Sequence, residues 1–156
     1  MTSDFDFFEP PEFVTNNGTD WFPCMALKLL YKLDTYRCLT GEGFLVSKHD
    51  SALGRYLGPE NESTHNVDYW GEVLAVDGFP ANMDCREEAN HRIQLARGCG
   101  FTGIGLYPDW HGGPGLHLDV RPTREPGDPA TWGYVLEGNQ YVEVTLHKAL
   151  EQWRTR

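Results

Sequence analysis

Two segments bring together side chains able to do chemistry. Ser63-Thr64-His65 runs on to Gly71-Glu72-Val73-Leu74-Ala75-Val76-Asp77, and further along stands Gly115-Leu116-His117-Leu118-Asp119. Together they supply two imidazoles and two carboxylates among apolar neighbours. Strand-like alternation aims Val73, Ala75 and Asp77 at one face and projects His117 and Asp119 from a common face. A carboxylate in such surroundings is costly unless it is paired, hydrogen-bonded or bound to a cation. Neutral imidazole nitrogens and one carboxylate oxygen bind Zn²⁺ while leaving it net positive, with one position open for water. The bound water then titrates near roughly pH 7 and becomes a nucleophile at neutral pH. A further carboxylate within reach can take its proton and pass it to a leaving amine. Each residue also has a plainer reading. His65 suits a hydrogen-bonded histidine at a loop edge, Asp77 a turn carboxylate before Gly78 and Pro80, and His117 with Asp119 an exposed ion pair. Asp68 rivals Asp77, and His111, in a Gly-rich loop, is a candidate substrate contact.

The elements that must position these groups can be read from periodicity. Phe22, Met25, Ala26, Leu29, Leu30 and Leu33 recur at helical spacing, which predicts a core-facing helix with Pro23 in its first turn and Gly41 beyond its end. Strands are expected at 43–47, 72–77, 101–106 and 116–120, and a hairpin from 132–135 to 141–144. Asp84 and Glu87 form a capping pattern for a second helix lined by Cys85, Ala89, Ile93 and Ala96 and closed by Gly98. Leu146, Ala149, Leu150 and Trp153 predict a closing helix. The expected fold is α+β: a small, mostly antiparallel sheet packed by two or three helices, formed by residues 21–156 behind an N-terminal arm, residues 1–20.

The chain has 156 residues, with 13 basic against 23 acidic side chains and a formal charge of −10. Such a surface repels phosphate backbones and anionic lipid, so neither nucleic acid nor membrane is an expected partner. There is no apolar run of transmembrane length. The acidic start Met1-Thr2-Ser3-Asp4-Phe5-Asp6 lacks the basic region of a secretory signal, which predicts synthesis in the cytoplasm. Cysteines at 24, 38, 85 and 99 include no CxxC pair and read as free thiols of a reducing compartment.

The same residues resemble a known family. Ser63-x-His65 and Ala75-x-Asp77 look like the two ends of the S-x-H-x(6)-D motif of zinc D-alanyl-D-alanine carboxypeptidases and hedgehog-like metallopeptidases. Gly103-Ile104-Gly105-Leu106-Tyr107-Pro108, followed by Gly115-Leu116-His117-Leu118-Asp119-Val120-Arg121, is similar to the G-x-G-x-Y-P … H-x-D signature of its murein-endopeptidase branch, found in phage and prophage proteins. The likeness covers roughly residues 43 to 135. It implies a Zn²⁺-dependent peptidase acting on peptidoglycan peptides, with His65, Asp77 and His117 as ligands and Asp119 as a catalytic base, orienter or partner of the last histidine. Tyr107, Trp110 and Arg55 would contact substrate, and the protein would act at the cell wall or within a phage particle.

Three features depart from the family pattern. Twelve positions separate His65 from Asp77, so Asn66 to Trp70 reads as an insertion. Pro114 stands where many relatives carry an acid, leaving Asp119, Glu72 or Asp109 as replacement bases. Ser47-Lys48-His49-Asp50 replaces a segment with a carbonyl-polarising arginine, for which Arg55 is the nearest candidate. The alternative expectation is a catalytically degenerate structural module of a phage particle, docking on other virion subunits through residues 1–20.

Overall fold

The structure, a computed structural model, describes residues 5–41 and 43–153. Among the described residues, four α-helices pack with a six-stranded mixed sheet, an α+β architecture. The helices are α1 (Leu27–Thr40), α2 (Val67–Trp70), α3 (Arg86–Gly98) and α4 (Leu146–Gln152). The strands are β1 (Phe44–Val46), β2 (Ala75–Pro80), β3 (Gly103–Tyr107), β4 (Gly115–Asp119), β5 (Ala130–Glu137) and β6 (Gln140–Val144), in the order β1-β2-β4-β3-β5-β6. Every pairing between these strands is antiparallel except β3 with β5. None of the helices among the described residues is long and apolar enough to cross a membrane.

The first helix starts later than the apolar spacing predicts. Phe22–Cys24 forms a 3₁₀ turn instead. The backbone at Cys24 and Ala26 pairs with Val73, so those groups are unavailable to a helix until Leu27. Its end is as expected: Gly41 adopts a left-handed φ of 62° and its N–H bonds Arg37 O. The second strand is also displaced. Val73 and Leu74 use their backbone groups on Cys24, Thr64 and Val120, and the strand runs from Ala75 through Gly78 to Pro80, where a turn was the plainer reading. Cys85 is the N-cap of α3 and makes no side-chain cap bond, so the helix is held by its buried side, Ala89, Ile93 and Ala96, rather than by the Asp84/Glu87 pattern.

Residues 5–20 do not stand away from the domain. Phe5, Phe8 and Phe13 belong to its core, and the Phe5 and Phe8 rings stack at 4.4 Å. Arg37 ties this segment down by donating to Phe7 O, to both Glu12 carboxylate oxygens and to Phe44 O. Residues 1–4 of the expected arm lie outside the described residues.

Sheet register sorts the strands into two faces. Val76, Leu118 and Ile104 align across β2, β4 and β3, with Leu116 and Leu106 in the next apolar row. All five are fully buried, each contributing about 1.5–3 kcal/mol of transfer free energy. Gly133 on this face lies under α4, where an added Cβ would sit 2.3 Å from Ala149. The opposite face carries Asp77, His117, Gly105 and Trp132 in one cross-strand row, and Ala75, Asp119, Gly103 and Ala130 in the next. The polar side chains of three strands are therefore brought together by period-two alternation alone.

Candidate metal centre

His65 reaches the polar face from outside the sheet. Leu74 N–H bonds Thr64 O, and Arg55 N–H bonds His65 O, which holds the residues around His65 against the start of β2. The extra residues after His65 coil into α2, a single turn that carries the added length away from the strand. Asn66, fully buried, caps that turn by accepting from Asp68 N–H. Its amide also accepts from Leu57 N–H and donates to Gly58 O and Asn61 O. All its polar capacity is used, which pins the loop that carries His65. The longer spacing therefore leaves the two ends of the first motif in contact.

His65, Asp77 and His117 form a buried group able to hold a metal ion, the one such cluster among the described residues. His65 Nε2 lies 3.4 Å from Asp77 Oδ1 and 3.3 Å from His117 Nδ1, and His117 Nδ1 lies 2.9 Å from Asp77 Oδ1. A tetrahedral ion about 2.0–2.1 Å from nitrogen and oxygen ligands sets them about 3.3 Å apart. The two edges from His65 match this, and the His117–Asp77 edge has the length of a hydrogen bond and would open on binding. Asp68 takes no part; it accepts Gly58 N–H on α2. His49 pairs with Ser51 and His147 with Glu151.

The second nitrogen of each imidazole decides which one faces the cluster. His65 Nδ1 lies 2.5 Å from Leu53 O, a pure acceptor, so that nitrogen carries the hydrogen. His117 Nε2 donates to Asp119 Oδ2 at 2.8 Å. The inward nitrogens of both neutral rings are then lone pairs, facing each other and a carboxylate oxygen. Three acceptors at this range repel unless a proton or a metal cation sits among them.

The electrostatics follow from this arrangement. Burial alone would raise the Asp77 pKa, but with protons on the inward nitrogens the charge of His65, hydrogen bonds from both histidines and the His117 charge hold it down to about 2. Burial alone would lower that of His117, yet the Asp119 and Asp77 carboxylates push it up to about 9. Without a metal, a proton on His117 therefore fills the gap. Asp119 is held below the usual carboxylate range, hydrogen bonds from His117 and Arg121 overcoming the effect of burial.

Asp119 is completely buried and saturated with donors. Besides His117, it accepts from Arg121 Nε, Nη2 and backbone N–H, and from Thr64 Oγ1. Arg121 in turn lies 4.8 Å over the Trp132 ring. Glycines make room for these groups. A Cβ at Gly103 would sit 2.2 Å from the Asp119 carboxylate, and one at Gly105 2.6 Å from Trp132 Nε1. The G-x-G of β3 is thus a steric requirement of the site. Gly103→Ala is expected to destabilise the protein by about 1–3 kcal/mol. Denaturant melts would show the loss, since the clamped carboxylate cannot swing aside.

The cluster opens into a cleft of about 1110 Å³, room for an extended segment of a polymer. Tyr107, Trp110, Tyr134 and Trp132 line one side, and Arg55, His111 and Glu62 also face it. Glu72 and Asp109 do not line the cleft; Asp109 instead accepts Leu136 N–H. Sequence reasoning missed Thr64, Asn66 and Trp132. Alternation of Trp132 with Tyr134 along β5 was the available signal for the last of these.

No family model, no curated protein and no solved structure matches this chain.

Proposed function

We propose that this protein is a zinc-dependent peptidase hydrolysing amide bonds of peptidoglycan peptides. The observation that carries the reading is the triangle of inward lone pairs. Two imidazoles, each with its outer nitrogen committed to an acceptor, meet a carboxylate within reach of one metal ion, with both edges from His65 at tetrahedral length. The donor set of two nitrogens and one oxygen suits zinc and leaves a fourth position towards the cleft. Zinc held there would polarise a carbonyl and supply water of lowered pKa. Asp119 orients His117 and fixes its tautomer, the role a carboxylate behind a ligating histidine commonly has. Arg55 lies exposed on the cleft lining and makes no side-chain hydrogen bond among the described residues, which suits it to a substrate carbonyl or carboxylate. Tyr107 and Trp110 stack at 4.0 Å and offer a flat apolar wall to a peptide. The choice of peptidoglycan peptides as substrate rests on the resemblance of the Gly103–Pro108 and Gly115–Arg121 segments to the murein-endopeptidase motif, in which Gly103, Gly105 and Asp119 have the structural roles described above.

One observation favours a second reading, a metal-holding structural module without turnover. Asp119 is saturated, and Glu72 and Asp109 lie off the cleft, so none of the expected replacement bases stands free beside the ligands. Metal analysis of the purified protein, combined with digestion of purified peptidoglycan, separates the two. One zinc per chain with new amino and carboxyl groups supports the peptidase; zinc without cleavage supports the module. A chain that binds no divalent metal refutes both.

A further inference from the structure

Tyr107 ends β3 with its ring held on two sides. Trp110 stacks on it at 4.0 Å with 19° between the planes, and Tyr134 at 5.3 Å with 10°. Its hydroxyl has one side-chain partner, Trp132 Nε1, at 3.2 Å. An indole N–H donates and cannot accept, so the polarity of this contact is fixed. The phenolic oxygen accepts, and its own hydrogen must be directed elsewhere. Among the described residues no side chain or carbonyl takes that hydrogen.

Trp132 is itself placed by the site. It shares a cross-strand row with Gly105, His117 and Asp77, and its ring centre lies 5.1 Å from that of His117. Arg121 covers it, and Gly105 leaves the space its Nε1 occupies. The sheet thus spends a glycine and an indole on orienting one hydroxyl in the cleft that holds His65, Asp77 and His117.

We propose that Tyr107 is a catalytic residue whose hydroxyl donates a hydrogen bond to the carbonyl oxygen of the scissile amide as that oxygen gains charge, with Trp132 as the positioning residue that fixes the donor's direction. This assignment rests on the peptidase reading. In the reaction, the water oxygen bonds to the carbonyl carbon, and the C–N bond breaks with its electron pair going to nitrogen. The nitrogen takes a proton from the water, giving a carboxylic acid and an amine. Tyr107 keeps its proton throughout. Burial raises the phenol's pKa against the opposing Trp132 bond, so the group is a donor and not a base. Such a donor acts most strongly where the charge develops, in a site shielded from water.

The test uses the zinc-loaded full chain and soluble peptides released from purified peptidoglycan, with amine release and zinc content as readouts. Tyr107→Phe is expected to lower kcat by about 10²–10³-fold. KM should stay within about threefold, because the bond is made to charge that appears only in the transition state. Zinc per chain should not change. Trp132→Phe is expected to lower kcat by about tenfold at unchanged KM and zinc. The double variant should be no slower than Tyr107→Phe, since the indole acts only through the hydroxyl. Tyr107→Phe with kcat within about twofold of wild type overturns the assignment, as does zinc loss in step with activity, or a double variant whose losses multiply. Should Tyr107→Phe not fold, Trp132→Phe decides alone: reduced kcat supports the assignment and unchanged kcat overturns it. Wild-type protein that holds zinc but releases no amine refutes the peptidase reading, and this assignment with it.

Discussion

His117→Ala is expected to strip the metal from the protein and to abolish hydrolysis with it. Zinc sites built into small domains have apparent binding free energies of about 10–16 kcal/mol. Losing one of three protein ligands removes roughly a third of that, about 4 kcal/mol, which weakens binding on the order of 10³-fold. His65→Ala should do the same, because its Nε2 forms two edges of the triangle. Neither substitution removes the Arg121 clamp on Asp119, so the fold should survive. Asp68→Asn is the control: Asp68 is exposed on α2, outside the cluster, and its variant should keep the metal. Zinc per chain after dialysis against a chelator, with circular dichroism to report folding, makes the measurement. Stoichiometric zinc in both histidine variants would remove the ligand assignment.

How far the site was legible in the sequence depends on the kind of physics involved. Alternation within β4 is local, and it placed His117 and Asp119 on one face as expected. The three longer helices were legible for the same reason: buried positions such as Leu29, Leu30 and Leu33, or Ala89, Ile93 and Ala96, repeat at short range. Boundaries failed where the chain makes long-range backbone bonds. Cys24 and Ala26 pair with Val73, which delays α1 and displaces the start of β2, and no local pattern announces such a pairing. The parallel pairing of β3 with β5 was illegible too, because strand neighbours are chosen by the whole sheet. Sequence spacing made Asn66 to Trp70 look like an obstacle to the metal site. In three dimensions those residues form α2, and Asn66 is the buried side chain that fixes the loop. The aromatic residues near the N-terminus suggested a docking arm, since composition shows that Phe5, Phe8 and Phe13 must be covered but not by what. The domain's own α1 and its neighbours cover them.

Asp119→Asn is expected to weaken zinc binding and the fold together, which separates an orienting role from that of a base. In the native site two oxygens accept from His117, Thr64 and three N–H groups of Arg121. An asparagine keeps the shape but turns one acceptor into a donor that faces donors. The guanidinium loses its counter-charge, and breaking a buried pair from one side costs about 3–5 kcal/mol; Arg121 is a quarter exposed, which places the cost at the low end. His117 also loses the carboxylate that keeps its hydrogen on Nε2, and any ring that shifts the hydrogen to Nδ1 can no longer offer that atom to a metal. Losing such a partner typically reduces metal affinity 10–100-fold. Acid sensitivity should change as well. The folded carboxyl titrates below its ordinary value of 3.8, so its stabilisation is complete above that value and is lost as pH falls through the depressed folded one. Removing it should flatten the acid limb of the stability curve. Urea melts across pH and a zinc titration read all of these effects. Were Asp119 a general base, the variant would bind zinc within about threefold of wild type and lose only kcat, and that result would refute the orienting role.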